Sequence, residues 1–171
     1  MRGLFIVMFI ANVVLSVISP AVLPPRVAVH FGLGGTADSW APGYVNTLFF
    51  IGINTFLFLC FYFTPRLAFR FSAEWINLPN KEYWLRTENK SRTIFMFSSF
   101  MWKFGTGLFL FLFFVQLLTI RANLSQPVKL DEELFLSGLI FFMVYSVYWC
   151  IKLYRNFRFP KEMGNARRPT E

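Results

Sequence analysis

The chain has 171 residues, of which 56% are apolar and 20% aromatic, and its formal net charge is +8. The apolar residues fall into long blocks, which favours a protein embedded in lipid over a water-soluble globule. Because the basic residues flank these blocks and form no basic patch with interleaved aromatics, we do not expect nucleic-acid binding.

Four apolar segments are each long enough to cross about 30 Å of hydrocarbon at about 1.5 Å per residue. They lie at about 3–19, 47–63, 94–120 and 134–153. We therefore predict an all-α integral membrane fold with four transmembrane helices. Residues 1–154 form its single domain, and residues 155–171 form a basic cytoplasmic tail.

The lysines and arginines are unevenly distributed between the connections. Thirteen lie before the first span, between the second and third, or at and beyond the end of the fourth, whereas the other two connections hold Arg26, Arg121 and Lys129. Cytoplasmic segments are enriched in Lys and Arg, so both termini are predicted to be cytoplasmic. The connection from residue 20 to residue 46 then lies outside the cytoplasm.

The first two spans each carry an asparagine near the middle, Asn12 and Asn54. Antiparallel spans bring these side chains to a similar depth, and we expect a hydrogen bond between them to hold the helices together. The alternative is a polar lining for a transported solute, in which Asn12, Asn54, Thr106 and Gln116 would face one cavity.

The outer connection, residues 20–46, holds the only histidine, four of the ten glycines and four of the nine prolines. Residues 27–31 have strand-like composition, and the glycines at 32–35 permit a tight reversal. We therefore expect an ordered, hairpin-like loop in which His30 and Asp38 can meet. Such a pair would stabilise the loop, recognise a partner or ligand, or contribute to a metal site.

On the cytoplasmic side, Pro65 is predicted to end the second span, and residues 66–76 to form a short interfacial helix. A turn with interfacial aromatics follows. It is either an anchored connector or a docking surface for a partner. Its candidate residues are Asn77, Leu78, Pro79, Asn80, Lys81, Tyr83 and Trp84.

The segment LPPRVAVHFGLGGTADSW resembles the signature of a bacterial membrane family of unknown function, related to the immunity protein against the sporulation-delaying toxin. The matching positions are His30, Phe31, Gly35, Asp38 and Trp40, whereas Gly43 replaces the usual lysine. The segment INLPNKEYWL resembles a second phrase of the same family. The resemblance implies a bacterial cytoplasmic membrane and a recognition role for these five loop residues.

We therefore expect a non-catalytic accessory, sensing or immunity-type protein that contacts membrane lipid and associates with another membrane protein or peptide. No cofactor or metal is expected. Ser39 is the only serine in the loop, and it lacks the sequence context of an activated nucleophile. The alternatives are a small transporter or channel-like oligomer, and a membrane-bound enzyme or metal-binding protein that uses His30 and Asp38.

Overall fold

A computed structural model describes residues 1–71 and 78–158, with the side chains of residues 68–71 left out. The helices in chain order are α1 (Arg2–Ile18), α2 (Gly43–Phe71), α3 (Lys81–Trp84), α4 (Thr87–Leu124) and α5 (Glu132–Arg158). The strands β1 (Arg26–Phe31) and β2 (Ala37–Pro42) separate α1 from α2. Short 3₁₀ turns lie at Ser19–Ala21 and Leu33–Gly35.

Helices α1, α2, α4 and α5 are long and apolar enough to cross a membrane, which confirms the prediction of four candidate spans. Helices α2, α4 and α5 extend beyond their predicted apolar segments at both ends, whereas α1 agrees with its segment to within one residue at each end. The third span is the longest helix, and it starts at Thr87, seven residues before the predicted apolar segment.

Helix α4 is the centre of the bundle, because α1, α2 and α5 all pack against it. One aromatic core joins α1, α2 and α4, in which Phe5 stacks on Phe58 at a centroid distance of 5.3 Å and packs against Phe109 at 5.3 Å. Gly105 makes room for this contact, since a Cβ there would lie 2.6 Å from the Phe5 ring.

Helix α5 packs on α4 through a second close approach. A Cβ at Gly107 would lie 2.3 Å from Tyr145, and a Cβ at Gly138 would lie 2.3 Å from Phe114. The Tyr145 hydroxyl donates to the Lys103 carbonyl at 2.7 Å. The remaining faces of α5 are apolar and exposed, which suits contact with lipid or with another membrane helix.

The predicted end of the second span at Pro65 is wrong. Helix α2 continues through Pro65 to Phe71, and the Pro65 side chain is buried. Proline removes a single backbone donor, and neighbouring helices in a membrane bundle can accommodate the resulting distortion. The first part of the predicted interfacial helix therefore extends α2, while residues 72–76 lie outside the described residues.

Candidate functional site

Strands β1 and β2 form an antiparallel hairpin at one end of the bundle. The register pairs Val27 with Ala41 and Ala28 with Trp40, and it shifts on both sides of His30, which pairs with Ser39. Such irregularities bend a strand and redirect a side chain. Asp38 directly precedes Ser39 in β2, and the shift in register places His30 beside Asp38 as well.

His30 Nδ1 lies 2.6 Å from Asp38 Oδ1, so the structure brings together the two loop residues that can pair. Gly32 leaves space for this contact, because a Cβ there would lie 2.9 Å from Asp38 Oδ2. The side chains are 69% and 49% exposed, respectively. An exposed pair contributes little to stability, and both groups remain accessible to a binding partner.

The inner strand of the hairpin is fixed to α4 by one buried amide. Asn123 Oδ1 accepts a hydrogen bond from the Ala28 N–H at 2.6 Å, and Asn123 Nδ2 donates to the Ala28 carbonyl at 3.1 Å. Val27 and Ala28 are fully buried beside it. The Asn123 side chain therefore takes the place of a further strand along this part of β1.

The tip of the hairpin is joined to the connection between α4 and α5. The Leu130 N–H donates to the Gly35 carbonyl at 2.8 Å, and Thr36 forms an isolated bridge with Lys129. Gly35 has φ +73°, and a Cβ there would lie 2.1 Å from the Leu130 carbonyl oxygen. The hairpin thus contacts the bundle at both its base and its tip.

The outer face of the hairpin is exposed. Leu33 at the tip is 94% exposed and Trp40 is 43% exposed, in addition to His30 and Asp38. Of the five candidate recognition residues, Phe31 is half-buried and Gly35 is buried. Phe31 and Gly35 therefore support the hairpin, whereas His30, Asp38 and Trp40 lie on its accessible surface.

Two cavities adjoin the hairpin. One, of about 560 Å³, lies between β1, α2, α4 and the start of α5, and its lining is mostly apolar, including Phe31, Phe49 and Phe135. The other, of about 470 Å³, lies between the hairpin tip and the α4–α5 connection. Arg121 and Asp131 line it and form an ion pair at 3.6 Å.

The hairpin holds few groups suited to catalysis. Within residues 1–71 and 78–158, no three His, Cys, Asp or Glu side chains form a group that could hold a metal ion. Ser39 lies opposite His30 in the ladder, but the Ser39 hydroxyl makes no hydrogen bond to the imidazole among the described residues. The arrangement offers a polar pair and an aromatic surface for binding.

The predicted hydrogen bond between Asn12 and Asn54 is wrong. Asn12 Nδ2 donates to the Met8 and Phe109 carbonyls, while Asn12 Oδ1 accepts from Gln116 Nε2 at 2.9 Å. Ser16 Oγ donates to Gln116 Oε1 at 2.8 Å. Because Phe109 and Gln116 belong to α4, the polar residues of α1 hold it to α4 instead of α2.

Asn54 bonds within its own helix. Its Nδ2 donates to the Phe50 carbonyl at 2.7 Å, and its buried Oδ1 has no hydrogen-bond partner among the described residues. Thr106 likewise donates to the Trp102 carbonyl of its own helix at 2.7 Å. The four residues of the transport alternative do not line either cavity at the hairpin.

At the opposite end, the turn before α4 contacts the end of α5. Trp84 Nε1 donates to the Phe157 carbonyl at 2.7 Å, and Asn80 Nδ2 donates to the Arg158 carbonyl. Leu78, Trp84 and Phe157 form a buried cluster. These two hydrogen bonds join the turn to the last two described residues of α5.

The remaining docking candidates are less buried. Pro79, Lys81 and Tyr83 are half-buried, whereas Asn77 lies outside the described residues. Asn80 has φ 54°, the left-handed conformation that asparagine tolerates better than most residues. The turn accordingly has an intramolecular role in holding α5, and its role as a docking surface stays a prediction.

A domain of unknown function, DUF1648, matches residues 7–55. The match spans most of α1, the whole hairpin and the first part of α2, so it includes all five recognition candidates. No curated protein and no solved structure matches the chain. The comparisons therefore associate the hairpin with an uncharacterised domain family.

Sequence reasoning did not identify Asn123 as the residue that anchors the hairpin. Its position near the end of a long apolar helix, where a polar side chain needs a partner, is the available signal. The sequence predicts Gln116 only as a possible cavity residue, whereas in the structure it joins α1 to α4.

Proposed function

We propose that this protein is a non-catalytic accessory, sensing or immunity-type membrane protein. It binds another membrane protein or a peptide through the outer face of the hairpin. The supporting observation is a hairpin held at its base by Asn123 and at its tip by Leu130, with the His30–Asp38 pair still exposed. A binding surface held in one conformation loses less entropy when a partner associates.

The protein is proposed to lie in a bacterial cytoplasmic membrane with a defined orientation. Both termini lie in the cytoplasm, and the hairpin lies on the other side, as the distribution of Lys and Arg favours. A partner that approaches from outside the cytoplasm then meets Leu33, Trp40 and the polar pair. The resemblance of this loop to a family with an immunity protein supports recognition of a peptide or membrane protein.

Site-specific photocrosslinking in living cells tests the proposal. A photoreactive residue at Leu33, the most exposed apolar residue of the hairpin, should give a discrete adduct with one protein or peptide. The same group at Ile140, on the exposed face of α5, reports contacts of the spans away from the hairpin.

Matched substitutions then test the role of the polar pair. We expect His30→Ala and Asp38→Ala to reduce the adduct at least tenfold, whereas Glu133→Ala, an exposed acid at the same end of the bundle, should preserve it. Gel filtration checks that all variants remain folded. Equal adduct yields in all four proteins, or no adduct at position 33, would contradict the proposal.

A further inference from the structure

Two arginines from different helices meet on one tyrosine at the end of the bundle opposite the hairpin. The Cζ atoms of Arg2 in α1 and Arg66 in α2 lie 5.2 and 5.3 Å from the centroid of the Tyr62 ring. Arg2 also donates to the Tyr62 hydroxyl, and Arg66 Nη1 donates to the Tyr62 carbonyl at 3.2 Å. Cation–π contacts and hydrogen bonds thus hold two like charges against one aromatic ring.

Trp102 from α4 completes this cluster. Its ring lies 5.7 Å from the Arg66 Cζ and 6.3 Å from the Tyr62 ring. Trp102 is only 9% exposed, and its buried indole N–H has no hydrogen-bond acceptor among the described residues. Three helices therefore contribute donors to this cluster, and the acceptors that Tyr62 provides for the two arginines, its hydroxyl and its carbonyl, carry no negative charge.

Neither arginine has a carboxylate partner in residues 1–71 and 78–158. Two guanidinium groups on one ring, with no carboxylate partner among the described residues, repel each other, so an anion that contacts both lowers the electrostatic energy. The planar guanidinium matches the oxygen geometry of a phosphate and can donate two parallel hydrogen bonds to it. The cluster is thus suited chemically to a phosphate group.

The position of the cluster indicates the source of that phosphate. Arg2 is the first residue of α1, and Arg66 lies near the end of the apolar part of α2. Helices that cross the hydrocarbon place such terminal residues among the lipid headgroups. We propose that Arg2, Arg66, Tyr62 and Trp102 form a binding site for the headgroup phosphate of an anionic phospholipid.

Native mass spectrometry of the purified protein in mild detergent tests this site. The probes are phosphatidylglycerol, zwitterionic phosphatidylcholine, and inorganic phosphate as a soluble competitor. We expect wild-type protein to retain phosphatidylglycerol preferentially. Arg2→Gln combined with Arg66→Gln should weaken this binding about 10- to 30-fold, since each arginine near an anionic surface contributes on the order of a fivefold gain.

Two further variants separate the site from general charge. Arg155→Gln removes an exposed arginine in the last turn of α5 and should preserve binding. Arg2→Lys combined with Arg66→Lys keeps the charge but removes the planar donors, so binding should be intermediate. Circular dichroism checks that each variant is folded.

Three results would overturn the proposal: unchanged binding in the double glutamine variant, an equal loss in Arg155→Gln, or displacement of the lipid by inorganic phosphate. The last result would identify the cluster as a site for soluble phosphate. The lipid measurement does not involve the hairpin, so its outcome is independent of the partner-binding test.

Discussion

Two buried amide side chains in the spans, Gln116 and Asn54, differ in whether their polar atoms have hydrogen-bond partners. Gln116 forms hydrogen bonds with both Asn12 and Ser16, whereas Asn54 leaves its Oδ1 without a partner among the described residues. We expect Gln116→Leu to lower the free energy of unfolding by about 1 to 2 kcal/mol, because it leaves polar groups of α1 unpaired. Asn54→Leu should leave stability unchanged or raise it, since it removes an unpaired buried carbonyl. Unfolding of both variants in mixed micelles with increasing SDS measures the difference, and equal destabilisation would contradict this assignment.

The amino-acid types alone identified these polar positions but not their partners. Asn12 and Asn54 lie at comparable depth in antiparallel spans, which made their pairing the simplest expectation. The partner is decided by which helix faces Asn12, and α4 offers both the Phe109 carbonyl and Gln116 there. An apolar sequence that continues around the whole helix does not specify that choice, because the hydrophobic period that usually marks a contact face is weak.

At the tip of the hairpin, Gly34 and Gly35 have the same backbone conformation but different surroundings, so their substitutions can be compared directly. Both have φ +73°, so alanine at either position costs about 1 to 2 kcal/mol in backbone strain. A Cβ at Gly34 meets no atom within 4 Å, whereas one at Gly35 would overlap the Leu130 carbonyl. We therefore expect Gly35→Ala to detach the tip, which hydrogen exchange of the Leu130 amide would report as lost protection. Gly34→Ala should preserve that protection, and similar exchange in both variants would show that the contact is not tight.

The hairpin was foreseeable in outline because strand-forming residues flank a glycine-rich reversal. Its anchors were not foreseeable, since Ala28 and Asn123 are 95 residues apart and no local pattern relates them. The interruption expected at Pro65 failed for a different reason. Local propensity penalises proline in a helix, but α2 continues through Pro65, whose side chain is buried in the bundle.

For the whole molecule, the proposed orientation predicts different accessibility at the two ends. In a Cys60→Ser, Cys150→Ser background, we expect Leu33→Cys to react with a membrane-impermeant maleimide in intact cells after removal of any outer membrane. Lys90→Cys, in the first turn of α4 at the opposite end, should react only after lysis. The reverse pattern would place the hairpin in the cytoplasm and contradict the proposed site of partner binding.

The number of spans followed from apolar length, whereas the central place of α4 depends on small residues such as Gly105 and Gly107, whose neighbours the sequence does not specify.

The long-range anchor of the hairpin has a consequence for the ribosome-bound chain. The Ala28 amide and carbonyl obtain their buried partner only after Asn123, 95 residues later, has been added. At about 5 to 20 residues per second, that interval is roughly 5 to 19 s. Throughout this time one edge of β1 lacks its final hydrogen bonds, while α2 and most of α4 are still being synthesised and inserted. A nascent strand with an open edge is a substrate for chaperones and a site of mispairing, so the hairpin is completed late although its sequence is translated early.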